Sequence, residues 1–180
     1  RDAEGDRVAA DEPGWRVAGW SAWLWVFVTR RITLYAIRPG RGFAEASEIL
    51  GEKYSGSLLR DGWAPYRRFL LALHQTCLAH LLHRCHLNLE TAERGTARFP
   101  HAVEHFLQDA LRLRDRRDQN LLSPHGLLVA RGRIEARLDR LLSWNPWDDE
   151  NHKLVQHLRR ERDALLTFLY HPEVEATNWP

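Results

Sequence analysis

The chain has 180 residues, with 26 Lys+Arg against 24 Asp+Glu and a formal charge of +2, which suits one domain, with or without an insertion, better than two. So even a balance does not mark a nucleic-acid binder by itself, though it leaves room for local basic faces. Cys77 and Cys85 are too few for a secreted disulfide framework, and no signal peptide or membrane-length apolar run is visible, so a soluble, cytoplasmic protein is expected.

In chain order, Val8-Ala9-Ala10 runs as a short strand into Asp11. Trp15-Arg16-Val17 forms a piece bracketed by Gly14 and Gly19. From Trp20 to Val28, Trp23, Trp25 and Phe27 fall on one face and Leu24, Val26 and Val28 on the other, which predicts a central strand buried on both sides. Ile32 to Ile37 is rich in β-branched and aromatic residues and closes at Arg38-Pro39-Gly40, completing an antiparallel meander. Phe43, Ala46, Ile49 and Leu50 recur at helical spacing, and Gly51 ends that helix. A strand from Gly56 to Arg60 then stops at Asp61, a turn passes through Gly62 and Pro65, and Leu70 to Cys77 reads as a further strand. A helix from Leu78 to about Glu90 follows.

Beyond Thr91 the strand signal disappears, and three amphipathic helices are predicted: one after Pro100, one over Leu127 to Leu142, and one over Asp148 to Tyr170. Three strands, a helix, two strands and then helices is the order of a ribonuclease-H-like fold. The expectation is an α/β chain with a mixed five-stranded sheet in the order 3-2-1-4-5, followed by an all-helical region. Residues 1–92 would form the first part of this core, 93–170 a helical insertion, and 171–180 a lead-in to a final helix. With no Met at any position, the chain is expected to be a fragment.

In that order the first and fourth strands are neighbours, so Asp11 and Asp61 are expected to face one cleft. Two-metal phosphoryl transfer needs carboxylates from separate segments that converge on two hard cations roughly 3.5 to 4 Å apart. An aspartate at a strand end is more often a turn former or a cap, and it is the pairing of the two that points to a site. Glu12 follows Asp11, but successive strand residues point to opposite faces, so Asp11 is the metal candidate and Glu12 is expected to be solvated on the back face.

His74-Gln75-Thr76-Cys77-Leu78-Ala79-His80 contains a Cys-x-x-His spacing without a second pair to complete four zinc ligands. A buried Cys77 and a helix-start His80, supporting the acidic site and holding no metal, are expected instead. The Arg112 to Arg117 run and Arg131, Arg133, Arg137 and Arg140 are interleaved with Asp115, Asp118, Glu135 and Asp139. A solvated helix face with internal ion pairs outweighs a dedicated DNA contact there. The Trp residues read as core rather than base-stacking platforms.

Five stretches carry a resemblance: residues 11–17 (Asp-Glu-Pro-Gly-Trp-Arg-Val), 23–29 (Trp-Leu-Trp-Val-Phe-Val-Thr), 38–43 (Arg-Pro-Gly-Arg-Gly-Phe), 60–66 (Arg-Asp-Gly-Trp-Ala-Pro-Tyr) and 74–80. In that order they resemble the DDE transposases of the IS66 family of bacterial insertion sequences. The resemblance implies a ribonuclease-H-like catalytic domain that binds two Mg²⁺ ions, cleaves DNA at transposon ends and joins the freed 3′ hydroxyl to target DNA. It also implies a homo-oligomer assembled on DNA, associated with the nucleoid and away from membranes. Asp11 aligns with the family's first acid and Asp61 with its second, both as catalytic residues and metal ligands. Pro13 stands where Thr is common. Glu175-Ala176-Thr177-Asn178-Trp179 resembles the lead-in to the helix that carries the third acid, and Glu175 itself does not align with that acid. A chain of this extent is therefore expected to be inactive. The competing reading is a non-catalytic DNA-binding or assembly fragment of a decayed element; another nuclease or resolvase on the same fold would share the acids without these motifs.

Overall fold

The computed structural model describes residues 7–93 and 95–178. The chain divides into two compact units, one over Arg1–Cys77 and Glu173–Pro180, the other over Leu78–Pro172.

Among the described residues the first unit is a mixed sheet with one α-helix and a 3₁₀ turn at Ala64–Arg68. Its strands are β1 (Arg7–Asp11), β2 (Gly14–Val17), β3 (Trp20–Val28), β4 (Thr33–Arg38), β5 (Ser57–Arg60) and β6 (Leu73–Thr76), with helix α1 (Phe43–Leu50) between β4 and β5. β1 pairs antiparallel with β3, Ala10 opposite Phe27, and parallel with β5, Val8 beside Leu58 and Ala9 beside Leu59. β5 pairs parallel with β6, and β4 pairs antiparallel with β3. The five expected strands thus take the expected neighbours. Among the described residues the sheet nevertheless has six strands rather than five, because β2 forms a hairpin with the first residues of β3. β3 is nine residues long, so β1 and β2 can share one of its edges while β4 lies along the other.

Strand alternation sorts the side chains. Val8, Ala10, Trp25, Phe27 and Leu58 face α1 and close a core with Ala46, Tyr66 and Phe69. Trp25 stacks on Phe27 with centroids 6.0 Å apart and meets Tyr66 edge-on at 6.2 Å. The expectation that the tryptophans are core fails for most of them: Trp25 is fully buried, but Trp20 is 79% exposed, Trp147 81%, and Trp15 is exposed as well. Trp15 and Trp20 belong to the β2–β3 hairpin, whose side chains have little packed over them. The final strand is also shorter than expected, with Leu70 and Leu71 exposed ahead of β6.

The second unit is helical: α2 (Leu78–Glu90), α3 (Arg98–Asp118), α4 (Pro124–Leu142), α5 (Asp149–Glu161) and α6 (Thr167–Tyr170). Pro100 lies inside the first turn of α3 rather than before it, where its missing N–H costs no helical bond. Ser123 caps α4, its hydroxyl accepting from the Gly126 N–H, and Asp148 caps α5 by accepting from the Asn151 N–H. The single helix expected over Asp148 to Tyr170 breaks at a 3₁₀ turn, Arg162–Ala164. Phe99, Val103, Phe106, Leu107, Leu138 and Leu154 are among the buried residues of this unit. Among the described residues no helix is long and apolar enough to cross a membrane.

Candidate functional site

Two acidic side chains stand at the ends of neighbouring parallel strands. Continuing the β1–β5 register two residues past Ala9 and Leu59 sets Asp11 level with Asp61, one step beyond the end of β5. The chain turns at once after Asp61 because Gly62 takes a φ of 95°, which a side chain disfavours. The Asp61 carboxylate stabilises that turn, Oδ1 accepting from the Trp63 N–H at 2.7 Å. This is the turn-former role weighed against a metal role for the sequence, and it occupies one oxygen. Oδ2 lies 3.7 Å from the Arg41 guanidinium. Asp11 is half-buried, and its Oδ1 accepts from the Glu12 N–H at 3.0 Å.

Glu12 corrects the sequence reading. It is not solvated: it is 1% exposed and sits on the core face with Ala10. Its Oε1 accepts from Arg41 Nε at 3.0 Å and from a terminal guanidinium nitrogen at 2.6 Å, while Oε2 accepts a short hydrogen bond from the Tyr66 hydroxyl. Burial raises the Glu12 pKa above the usual carboxylate range. The Tyr66 hydrogen bond opposes that rise, the Asp61 charge adds to it, and Arg41 opposes it. The Tyr66 hydroxyl is pushed far up, first by burial, then by the charge and hydrogen bond of Glu12, and further by Asp61 and Asp11. One buried phenol thus feels all three acids.

Arg41 precedes α1, and its guanidinium lies between two indoles, with ring centroids 4.7 Å away at Trp23 and 4.2 Å away at Trp63. The Trp63 indole N–H donates to the Arg41 carbonyl at 3.0 Å. On the opposite face of the sheet, the one carrying Ala9 and Leu59, a cavity of about 250 Å³ is lined by Arg7, Ala9, Val28, Leu59, Val174 and Asn178, among others. Asp11 lies one strand step beyond it on the Ala9 side.

Asp11 and Asp61 supply hard oxygen donors from two segments, which suits Mg²⁺, an ion commonly held by one or two carboxylates with water filling the remaining positions. Both Glu12 oxygens are engaged, Oε1 by Arg41 and Oε2 by Tyr66. Among the described residues no group of three or more His, Cys, Asp or Glu side chains could hold a metal ion.

Other sequence candidates fall elsewhere. Cys77, directly after β6, is buried, its thiol 3.1 Å from Asn178 Oδ1. His80 is half-buried in the first turn of α2. Cys85 is buried, its thiol pushed up to about 12 by burial first and the Glu104 charge second, while the adjacent His86 meets Glu104 at 3.0 Å. The arginine-rich helices carry internal ion pairs: Arg112 and Arg137 with Asp109, Arg114 with Asp115, Arg117 with Asp118, and Arg162 with Asp139. Arg117 and Arg131 also donate to carbonyls of α6.

Sequence reasoning gave no role to Arg41, Trp63 or Tyr66, although all three stand inside the stretches at 38–43 and 60–66 that carry the resemblance. A model of one protein family, described as the IS66 family of transposases, matches residues 3–179 of the chain. Comparison with curated proteins and with solved structures gave no match.

Proposed function

Because this chain belongs to the IS66 family of transposases, we propose that it is the catalytic part of a DDE transposase on a ribonuclease-H-like fold, with Asp11 and Asp61 as two of its metal-binding acids. The single observation that carries this reading is the register that sets Asp11 level with Asp61 at the ends of paired parallel strands. The substrate is DNA, at the ends of the mobile element and at the target, worked on by an oligomer of the chain within the bacterial cytoplasm. Two Mg²⁺ ions, when bound, would supply the charge that stabilises attacking and leaving oxygens on the phosphodiester.

The residues of the chain have separate tasks. Asp11 and Asp61 would hold the cations, and the Oδ1 of each also accepts from a backbone N–H. Glu12 fixes Arg41 from below the site and does not bind metal. The competing reading is a DNA-binding or assembly fragment without chemistry.

The test is a cleavage and strand-transfer assay on element-end DNA with Mg²⁺, using the chain and a version extended along its reading frame. Cleavage by the extended protein that disappears in Asp11→Asn and in Asp61→Asn, with DNA binding retained, supports the catalytic reading. DNA binding with no cleavage by either protein supports the non-catalytic one, and cleavage that survives both substitutions refutes the assignment of the acids.

A further inference from the structure

The Arg41 guanidinium lies against this acidic site and is bound unequally to two carboxylates. It makes two hydrogen bonds to buried Glu12, whereas its 3.7 Å contact with Asp61 Oδ2 is an ion pair too long to be a hydrogen bond. Its backbone is held on both sides. The Gly40 carbonyl accepts from the indole of buried Trp25 at 3.2 Å, and the Gly42 N–H donates to Glu45 at 2.9 Å. A methyl at Gly40 would fall 1.9 Å from a Glu45 carboxylate oxygen, so the end of the Glu45 side chain would have to shift. The guanidinium is further restrained between Trp23 and Trp63.

The contacts with Asp61 close a ring. Trp63 donates its backbone N–H to Asp61 Oδ1 and its indole N–H to the Arg41 carbonyl, while the Arg41 guanidinium reaches Asp61 Oδ2. Both oxygens of Asp61 are therefore oriented by one two-residue unit that is fastened to the core through Glu12 and Trp25.

We propose that Arg41 is the positioning residue for Asp61: held between Trp23 and Trp63 and anchored on Glu12, it aims the Asp61 carboxylate before a divalent cation arrives and yields Oδ2 to that cation. This rests on the reading of Asp61 as a metal ligand. The division of labour follows from the distances. The short bonds to Glu12 keep the guanidinium in place when metal binds, and the long contact with Asp61 is the one that can be given up. An orienting partner behind a ligand typically accounts for 10- to 100-fold in metal affinity. Lysine keeps the charge but has no planar fork to bond Glu12 twice, reach Asp61 and stack on two indoles at once.

The experiment titrates Mn²⁺ into the 180-residue chain, reading free Mn²⁺ by electron paramagnetic resonance and the indoles by tryptophan fluorescence. Wild type, Arg41→Lys, Trp63→Phe and Asp61→Asn are compared after circular dichroism has confirmed folding. The expected result is saturable binding by wild type with a fluorescence change, binding weakened by about tenfold in Arg41→Lys with the fluorescence change lost, a smaller weakening in Trp63→Phe, and no binding in Asp61→Asn. Trp63→Phe keeps the Glu12–Arg41 pair and carries the test if Arg41→Lys does not fold. Wild-type affinity in both Arg41→Lys and Trp63→Phe, with binding still lost in Asp61→Asn, overturns the role of Arg41 and leaves Asp61 as a ligand. No binding by wild type, or unchanged binding by Asp61→Asn, overturns the metal reading and the positioning role with it.

Discussion

The Tyr66→Phe substitution isolates one bond of the buried network. Tyr66 is fully buried and Glu12 is 1% exposed, so water cannot readily replace a lost partner. Oε1 of Glu12 keeps both donors from Arg41, whereas Oε2 loses the donor it has in the Tyr66 hydroxyl. Phenylalanine preserves the ring and its edge-on contact with Trp25. The remaining cost is that of a hydrogen bond to a charged, desolvated acceptor, about 2 kcal/mol, or a fall of roughly 4 to 8 °C in Tm for a chain of this size. The control is Tyr54→Phe, which removes a 3.0 Å bond to the Ser57 carbonyl and is expected to cost about 1 kcal/mol. The pH dependence has a definite sign. The folded pKa of Glu12 is raised above 4.5, so its contribution to stability is fully present below that value and is lost as pH rises through the folded pKa. Removing the hydroxyl raises that pKa further, so the Tyr66→Phe penalty grows from acid towards neutral pH. Urea unfolding at several pH values, with hydrogen exchange of the β1 amides to localise the loss, provides the measurement. A penalty below about 0.5 kcal/mol at neutral pH, or one no larger than that of Tyr54→Phe, would refute the reasoning.

In the helical unit, Asp109 pairs with Arg112 on its own helix, α3, and with Arg137 on α4. Burial would raise its pKa, but the hydrogen bonds and charges of the two arginines outweigh that and hold it below 3.8. Its stabilisation is therefore present above 3.8 and lost as pH falls through the folded value. Asp109→Asn should cost about 1 kcal/mol or less at neutral pH, as for a partly exposed pair, with the gap from wild type closing in acid and narrowing in high salt; a pH-independent gap in urea unfolding would contradict this. Trp25→Ala should cost about 3 to 5 kcal/mol by opening a cavity among Phe27, Tyr66 and the β1 core, whereas Trp20→Ala should stay within about 0.5 kcal/mol, and thermal melts of the two that coincide would show the burial assignment to be wrong.

The strand assignments were readable because β3 is a nearly continuous apolar run of strand length, and Asp11 and Asp61 each mark the end of an apolar run. Neighbouring strands followed from element order, since β1 lies between β3 and β5. The sixth strand was half legible: Trp15-Arg16-Val17 has strand composition, yet four exposed residues give no burial alternation from which to infer pairing. The same lack of alternation hid the exposure of Trp15 and Trp20. Tryptophan is apolar enough to suggest core wherever it stands, and only the packing above a hairpin decides the matter. The break at Arg162–Ala164 left no Gly or Pro in the sequence, so the helical pattern ran on through it.

The misreading of Glu12 has a different cause and bears most directly on the site. Period-two alternation correctly separates Asp11 from Glu12, but alternation alone does not say which face holds water. Assigning a charged residue to solvent assumes that nothing buried can neutralise it. Here the neutralising groups arrive from 29 and 54 residues away, as Arg41 and Tyr66, and no spacing rule links them to Glu12. One sequence signal was within reach: Arg41 is flanked by Gly40 and Gly42, and Trp63 and Tyr66 follow Asp61 within five residues. An arginine between glycines, close in the fold to an Asp-Gly-Trp turn, is poorly explained as a solvated charge and well explained as a cation brought to an acid. The adjacent acids thus serve opposite ends. Asp11 is half-buried at a strand end, while Glu12 faces inward and holds Arg41.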